Sequence, residues 1–336
     1  MSGYKFIVIT SINPPSDGIR AFAKWPGWRV VVIGDRKTPA NWASDGVDYI
    51  GIDRQQEMFG DFAKALPENA YARKMLGYVY AIRQGATAIF ETDDDNLPYA
   101  DAAAAVDQVI AGLYQPKPER RRGSGHWINS YRLFGAEDCW PRGLPIEYID
   151  NIREKFNPVE QGLSNKSWAV MQFLCDDDPD VDAIYRITSG RRIFFARDRQ
   201  FLFDEGTFSP INSQATLWLP PSYPAMFLPV GVSDRVTDIL RGFIAQAALW
   251  QTGHVAGVSS PIGWQWRNVH DLRRDFADEV SMYINAGEWG RMLMEIYETS
   301  AHEVFYKALV KLAERGFVPP ENLDLYESFL KSAGLK

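Results

Sequence analysis

Residues 87–96 read TAIFETDDDN, so that an apolar run at 87–92 passes directly into Asp93, Asp94 and Asp95. A run of β-branched and aromatic residues of this length predicts a strand buried in a sheet. In parallel α/β sheets, ligands bind beyond the carboxyl ends of the strands. The aspartate triplet is therefore expected at the edge of the sheet where a binding site forms.

Three earlier apolar runs have the same character. They lie at residues 6–10 (FIVIT), 29–33 (RVVVI) and 48–52. Helical patterns separate the runs, among them residues 72–84, whose apolar positions recur every three or four residues. Strands that alternate with helices predict a parallel sheet covered by helices.

The rest of the chain has a different texture. Residues 126–229 are rich in Pro, Gly and aromatic residues, which favours an irregular binding face with short strands at 183–188 and 192–196. From residue 233 onward the pattern predicts helices at 234–251, 272–287, 289–314 and 321–332.

Composition bounds the class of protein. Of the 336 residues, 46% are apolar and 24% charged, which excludes disorder as the main state. A net charge of -7 argues against a protein that coats nucleic acid. The two cysteines, Cys139 and Cys175, offer no disulfide framework and favour a reducing compartment. Without a signal peptide or about 18 consecutive apolar residues, we expect a cytoplasmic protein, with peripheral contact to a membrane-bound partner left open.

Three consecutive carboxylates repel one another and need a compensating partner. A divalent cation shared between the aspartate oxygens and a diphosphate would supply one, since hard cations prefer oxygen ligands. A solvated turn is the alternative. Arg73 and Lys74, in the first turns of the predicted helix, oppose the helix dipole. Either an anionic ligand or a surface salt bridge would offset that cost.

Other charged stretches have both structural and functional interpretations. Asp238 lies inside a helix between Arg235 and Arg241, where it could form an ion pair on the helix face or act as an acceptor-side base. The acidic run at 176–182 follows no comparable strand, so we expect a turn and a helix cap. The stretch 115–125, QPKPERRRGSG, is expected to be a solvated loop rather than a phosphate contact.

Several common site types are absent from the sequence. The four histidines lack the sequence spacing with which zinc hydrolases bind their metal. His270 is a lone histidine, which is either a hydrogen-bonded structural residue or a ligand. No dinucleotide-binding Gly-x-Gly-x-x-Gly follows the first strand, and neither a phosphate-binding P-loop nor a Gly-x-Ser-x-Gly nucleophile motif occurs. Dehydrogenases, P-loop phosphotransferases and α/β-hydrolases are therefore disfavoured.

An ordered set of motifs resembles the STELLO-type glycosyltransferases and, more distantly, the reversibly glycosylated polypeptides, which act as UDP-arabinopyranose mutases. The likeness covers approximately residues 5–275. The motifs that carry it lie at residues 6–10, 31–35, 38–39, 71–78, 91–96, 180–186 and 235–242.

The resemblance implies a GT-A-like, Rossmann-type mixed sheet flanked by helices, with a helical C-terminal extension. It implies a nucleoside diphosphate sugar, UDP-linked, as donor, and Mn²⁺ or Mg²⁺ as metal. Its site residues map onto this sequence as Asp93 and Asp95 at the metal, Asp94 near ribose or metal, Thr10, Ser11 and Asp35 at the nucleotide, Arg73 at phosphate, His270 at diphosphate or metal, and Asp238 facing the acceptor.

The resulting hypothesis divides the chain into residues 1–115 as the nucleotide-sugar-binding half, 116–270 as the acceptor-binding half and 271–336 as the helical extension. The expected activity is a metal-dependent glycosyltransferase with a glycan or other hydroxyl acceptor. The alternatives are a UDP-sugar mutase and a non-catalytic scaffold that binds sugar nucleotides.

Overall fold

The computed structural model describes residues 3–150, 159–161, 165–267 and 271–336. Their strands are β1 (Tyr4–Thr10), β2 (Trp28–Ile33), β3 (Val47–Ile50), β4 (Ala86–Thr92), β5 (Asn96–Pro98), β6 (Glu119–Gly123), β7 (Val159–Gln161), β8 (Ser167–Asp177), β9 (Gln200–Phe203), β10 (Ala215–Trp218) and β11 (His254–Gln265). Their helices are α1 (Asp17–Phe22), α2 (Ile52–Ala65), α3 (Lys74–Arg83), α4 (Ala102–Ile110), α5 (Ile146–Asp150), α6 (Ala183–Thr188), α7 (Thr237–Gln251), α8 (Leu272–Met294), α9 (Ala301–Glu314) and α10 (Asn322–Ala333).

The strands form one mixed sheet in the order β3-β2-β1-β4-β10-β8-β11-β9-β6-β7, with β5 paired to β11. The first four strands are mutually parallel. Strand β10 runs antiparallel to both β4 and β8, and β11 is parallel to β8. Strands β1, β2, β4, β8 and β11 therefore all end at the same edge of the sheet, where β10 begins.

The apolar runs become strands because helices cover them. Residues Phe6 to Ile9 of β1 are each at most 1% exposed, as expected of parallel strands buried on both faces. The strands predicted at 6–10, 29–33, 48–52 and 87–92 are confirmed as β1, β2, β3 and β4. The mixed α/β sheet flanked by helices, with helices at the C-terminal end, is confirmed as well.

The middle of the chain differs from its prediction. Residues 183–188 form helix α6 rather than a strand, because the side chain of Asp182 accepts a hydrogen bond from the Tyr185 backbone N–H and caps the helix. Residues 192–196 form no strand, and in the part of the chain that the structure describes they join the sheet by a backbone bridge between Ile193 and Asp177. The acidic run at 176–182 begins in the last two residues of the buried strand β8, so the expectation that no strand precedes it is wrong.

The C-terminal helices have a different boundary from the predicted one. Helix α8 continues through Gly287 to Met294, and α9 begins only at Ala301, after the cap residue Ser300. Gly287 lies where α5 approaches closely, since a Cβ atom there would be 2.2 Å from Oε1 of Glu147. The predicted helix boundary between residues 287 and 289 is therefore wrong, because α8 continues through these positions.

The C-terminal helices share the core of the sheet. Helix α10 packs against α2 and α3, and α9 packs against α7. The ring of Tyr326 lies 4.9 Å from that of Phe305 and 5.3 Å from that of Phe227. The side-chain amide of Asn322 also bonds both the N–H and the carbonyl of Val230. None of the described helices has the length and apolar character that a membrane crossing requires.

A buried ion pair joins the centre of the sheet to helix α7. Arg241 donates to Oε1 of Glu91 over 2.7 Å, and both residues are 0% exposed. Trp218 Nε1 donates to the same carboxylate over 2.8 Å, and the Tyr78 hydroxyl donates to its other oxygen. Removing one member of such a pair leaves an uncompensated buried charge, which is strongly destabilising.

We therefore expect Glu91→Gln to lower the free energy of unfolding by about 3–5 kcal/mol. Asp17→Asn, which removes the exposed ion pair with Arg20, is the matched control and should change it by less than about 0.5 kcal/mol. Urea unfolding measures both values. Equal effects of the two substitutions would contradict the importance assigned to the buried pair.

Candidate active site

A cavity of about 390 Å³ opens at the edge of the sheet where β1, β2, β4 and β11 end. We call it the triplet cavity because Asp93, Asp94 and Asp95 all line it. The other predicted site residues that line it are Thr10, Ser11, Asp35, Arg73 and Asp238. The fold therefore brings together eight of the nine predicted residues. The ninth, His270, lies outside the described residues.

Asp93 is held by a lysine and a tyrosine. Its Oδ1 accepts hydrogen bonds from the Tyr71 hydroxyl over 2.8 Å and from Lys74 Nζ over 3.0 Å. Lys74 is 0% exposed and also donates to the Tyr71 hydroxyl and to the Ser213 carbonyl. Lys74 thus pairs with a carboxylate of the triplet instead of forming the surface salt bridge considered from sequence.

Asp94 is held from the end of β1. Its Oδ2 accepts from the Ser11 hydroxyl over 2.5 Å and from the Asn13 side-chain amide over 3.0 Å. Helix α1 packs directly on this loop, since a Cβ atom on Gly18 would lie 2.0 Å from the Asn96 carbonyl oxygen. A glycine is required at that position, and it lets the helix support the triplet.

Asp95 carries a buried carboxylate oxygen. Its Oδ2 accepts from Gln265 Nε2 over 3.0 Å, while its Oδ1 is buried without a hydrogen-bond partner in the described part of the chain. Burial, followed by the negative charge of Asp93, raises the pKa of Asp95 from 3.8 to about 7, although the Gln265 hydrogen bond opposes the shift.

The three carboxylates share one pattern. Each uses one oxygen for hydrogen bonds from protein groups, and within the described residues its other oxygen has no hydrogen-bond partner. The described residues contain no ready-made group of three His, Cys, Asp or Glu side chains that could hold a metal. Mg²⁺, however, is commonly bound by one or two carboxylates together with substrate phosphates. An unpartnered oxygen on Asp95 fits such a ligand set.

The loops after β1 and β2 are tied together. The Thr38 hydroxyl accepts from the Asp35 backbone N–H over 2.7 Å and donates to the Ser11 carbonyl over 2.8 Å. Thr10, at the end of β1, lies beside them in the cavity wall. These loops form the rim of the parallel half of the sheet, which is the usual position of a bound nucleotide.

Arg73 is anchored by protein acceptors. It is 2% exposed. Its Nε donates to Gln55 Oε1 over 3.0 Å, and its Nη1 donates to the Leu66 carbonyl over 3.2 Å. Burial lowers the pKa of Arg73, while Asp35 and Glu68 act to raise it. The guanidinium is therefore a fixed positive charge in the cavity wall.

Asp238 forms neither of the ion pairs expected from its helix. Arg142, from the loop before α5, donates to both of its oxygens over 3.1 Å. The backbone N–H groups of Ser213 and Ile239 donate to the same carboxylate. Arg241 instead pairs with Glu91 as described, and Arg235 with Glu279. The helix-face alternative is therefore wrong, because Arg241 on α7 and Arg235, which precedes α7, each pair with another carboxylate.

Arg142 and Asp180 were not among the predicted site residues. Arg142 Nε and Nη2 donate to the two oxygens of Asp180 over 2.8 and 2.7 Å. Burial alone would raise the pKa of Asp180, but the paired Arg142, with Arg235 and Arg267 nearby, holds it below its ordinary value. The acidic run thus does reach the cavity. The expected helix cap is also confirmed, at Asp182.

Gln265 and Arg267 were also missed. Both line the triplet cavity from the end of β11. The stretch before them, 254–265, mixes apolar residues with Ser, Pro and Gly, which weakens the pattern expected of a strand. The mostly apolar run at 168–175, before the second acidic segment, was the available signal for a further strand that ends at the same edge.

No family model matches the chain. Among curated proteins of Arabidopsis thaliana, it is 27% identical over 343 residues to "Probable glycosyltransferase STELLO1" and 29% identical over 331 residues to "Probable glycosyltransferase STELLO2". The alignments cover 97% and 93% of this chain but 44% and 42% of those proteins, so the chain spans less than half the length of these relatives. The resemblance to the STELLO-type proteins is confirmed by these matches.

Among solved structures, the chain is similar to glucosyl-3-phosphoglycerate synthase from Mycobacterium tuberculosis. A complex with phosphoglyceric acid has 8% identity and a TM-score of 0.40, with 87% of this chain and 80% of that chain covered. A complex with Mn²⁺, UDP-glucose and phosphoglyceric acid has 7% identity and a TM-score of 0.41, with coverages of 85% and 80%.

The raised pKa of Asp95 gives a pH-dependent prediction for the metal-free protein. Between about pH 4 and 7 the folded state binds a proton that the unfolded state has released, so this group's contribution to stability is lost as the pH rises. Asp95→Asn cannot ionise and escapes that loss. The melting temperature of the variant minus that of the unsubstituted protein, both measured in EDTA, should therefore be larger at pH 8 than at pH 5. A difference independent of pH would show that Asp95 has an ordinary pKa.

Proposed function

We propose that this chain is a metal-dependent glycosyltransferase of the GT-A type, which moves a sugar from a UDP-linked donor to a hydroxyl acceptor. The observation that carries the proposal is the aspartate triplet in the cavity wall, with one unpartnered oxygen on each carboxylate within the described residues. Similarity to two proteins named as glycosyltransferases, over nearly the whole of this chain, supports the same activity.

The nucleotide would bind at the parallel half of the sheet. Thr10, Ser11 and Asp35 lie in the loops that follow β1 and β2, at the position where α/β sheets bind nucleotides. The cavity volume of about 390 Å³ lies within the range of small-molecule sites. The hydrogen bonds through Thr38 fix the two loops relative to each other before a ligand arrives.

Asp93 and Asp95 would hold the divalent cation, with Asp94 beside them, and the donor diphosphate would complete the ligand set. A cation bound there stabilises the negative charge that develops on the leaving diphosphate. Lys74 and Tyr71 orient Asp93, while Gln265 orients Asp95. Arg73 adds a fixed positive charge on the donor side of the cavity, where the phosphates would lie.

Asp238 is the proposed carboxylate on the acceptor side. If transfer inverts the anomeric centre, a carboxylate must take the proton of the acceptor hydroxyl. Its oxygens already accept four hydrogen bonds, two from Arg142 and two from backbone N–H groups. Because a carboxylate has about four acceptor sites, one of these bonds must break before Asp238 acts as a base.

Binding of UDP with and without Mn²⁺, measured by calorimetry, tests the donor and metal together. Mn²⁺ should strengthen UDP binding. Asp93→Asn or Asp95→Asn should lower the affinity for UDP in the presence of Mn²⁺ by at least about tenfold. Asp61→Asn, at a fully exposed position on α2, is the control and should behave as the unsubstituted protein. Equal UDP affinity in EDTA and in Mn²⁺ would overturn the metal assignment.

Asp238→Asn tests the catalytic step. We expect a loss of transfer rate of about 10²–10⁴-fold, with UDP affinity unchanged, measured by release of UDP from the UDP-sugar in the presence of acceptor. Incubation with donor alone distinguishes transfer from rearrangement of the donor by a mutase. Full activity in the Asn variant would remove Asp238 from the reaction.

A further inference from the structure

A second cavity, of about 480 Å³, adjoins the triplet cavity. The two share Gln265 and Arg267 in their walls. Gln265 is the residue that donates to Asp95, so the shared wall touches the aspartate triplet directly. The second cavity lies beyond the end of β8, next to α6 and the loop at 189–193. We call it the arginine cavity.

The lining of the arginine cavity is cationic although the chain as a whole carries a charge of -7. Its charged lining residues are Arg186, Arg191, Arg192, Arg267, Asp177 and Asp178. Arg186 pairs with Asp178, and Arg192 pairs with Asp177 over 3.2 Å. The two aspartates therefore offset two of the four arginines, and Arg267 pairs over 3.3 Å with Asp275, which lies outside the cavity lining. Among the described residues, Arg191 is the lining arginine that has no ion pair.

Two of these arginines are buried with unused donors. The side chains of Arg186 and Arg267 are 10% and 9% exposed, and the Nε of each lacks a hydrogen-bond partner within the described ranges. Burial, followed by the positive charges of Arg186 and Arg235, lowers the pKa of Arg267 to about 10. An anion beside these guanidinium groups would reduce both the repulsion and the cost of the unmatched donors.

The cavity wall is fixed in place. The backbone N–H of Asp177 donates to the Ile193 carbonyl over 2.7 Å, and the Ile193 N–H donates back over 2.9 Å, which anchors the loop that carries Arg191 and Arg192. Asp177 has a φ of +76°, a strained conformation for a residue other than glycine. Arg191 and Arg192 therefore lie on a segment that is anchored to the end of β8.

An aromatic ring stands at the rim. The Trp266 backbone N–H donates to the Asp95 carbonyl over 3.1 Å, while the residue is 76% exposed and lines the arginine cavity. An exposed tryptophan next to a cavity is an apolar surface on which a sugar or similar ring can pack. The same cavity thus offers guanidinium groups for an oxyanion and an apolar surface for a ring.

We propose that the arginine cavity binds a hydroxylated compound that carries an oxyanion, a phosphate or a carboxylate, and that this compound is the acceptor class of the enzyme. The role as acceptor rests on the proposed glycosyltransferase function, because the cavity joins the donor side at Gln265 and Arg267. The binding of the oxyanion rests only on the arginine cavity itself.

Direct binding of three related probes tests the proposal. Glucose, glucose 6-phosphate and glucuronate share one sugar ring and differ in charge, and calorimetry measures their affinities without any transfer reaction. Glucose 6-phosphate, glucuronate or both should bind at least about tenfold more tightly than glucose, with the gain weakened by added salt. Binding of only one of the two anions identifies the oxyanion and supports the proposal.

The Arg191→Gln/Arg192→Gln double variant should lose about tenfold in affinity for the anionic probe. Because both arginines are exposed, the variant is expected to fold, and UDP binding serves as the check because neither residue lines the triplet cavity. Arg20→Gln/Lys24→Gln removes the same charge at α1 and its end and should keep full affinity. Equal binding of all three probes, or equal losses in the two double variants, would overturn the proposal. Tight binding of an anionic probe without binding of UDP would support the oxyanion site in the arginine cavity and reject the proposed donor site.

Discussion

The site depends on the repulsion among three adjacent carboxylates at the end of a buried strand. Each adjacent pair raises the free energy of the folded state unless a compensating group lies close. The fold supplies part of that compensation from separate elements, with Lys74 and Tyr71 on Asp93, Ser11 and Asn13 on Asp94, and Gln265 on Asp95. Only Lys74 among these groups brings a positive charge, so much of the negative charge of the triplet is left for a ligand to balance.

The shape of the sheet explains why the compensating groups arrive at this point. Strands β1, β4 and β11 are not adjacent in sequence, yet their ends meet at one edge because β10 inserts antiparallel between two parallel groups of strands. The ion pairs Glu91–Arg241 and Arg142–Asp180 hold α7 and the loop before α5 against that edge. Buried charged residues thus both join separate elements of the fold and form part of the cavity wall.

The features that the sequence could predict are local ones. The triplet, the strand before it and the loops at Ser11 and Asp35 follow from apolar runs that end in polar residues. The partners of Asp238 could not be predicted in this way, because Arg142 lies 96 positions away and reaches it only through tertiary packing. Residues 183–188 favour a strand by composition, whereas the Asp182 cap and the Glu279 contact to the Ala183 N–H favour the helix α6.

The most direct test of the account is the anomalous scattering of Mn²⁺ in crystals grown with UDP. One strong peak is expected within coordination distance of carboxylate oxygens of Asp93 and Asp95 and of the diphosphate. A diphosphate bound in the cavity with no peak at these carboxylates, and with Lys74 as its nearest positive charge, would contradict it.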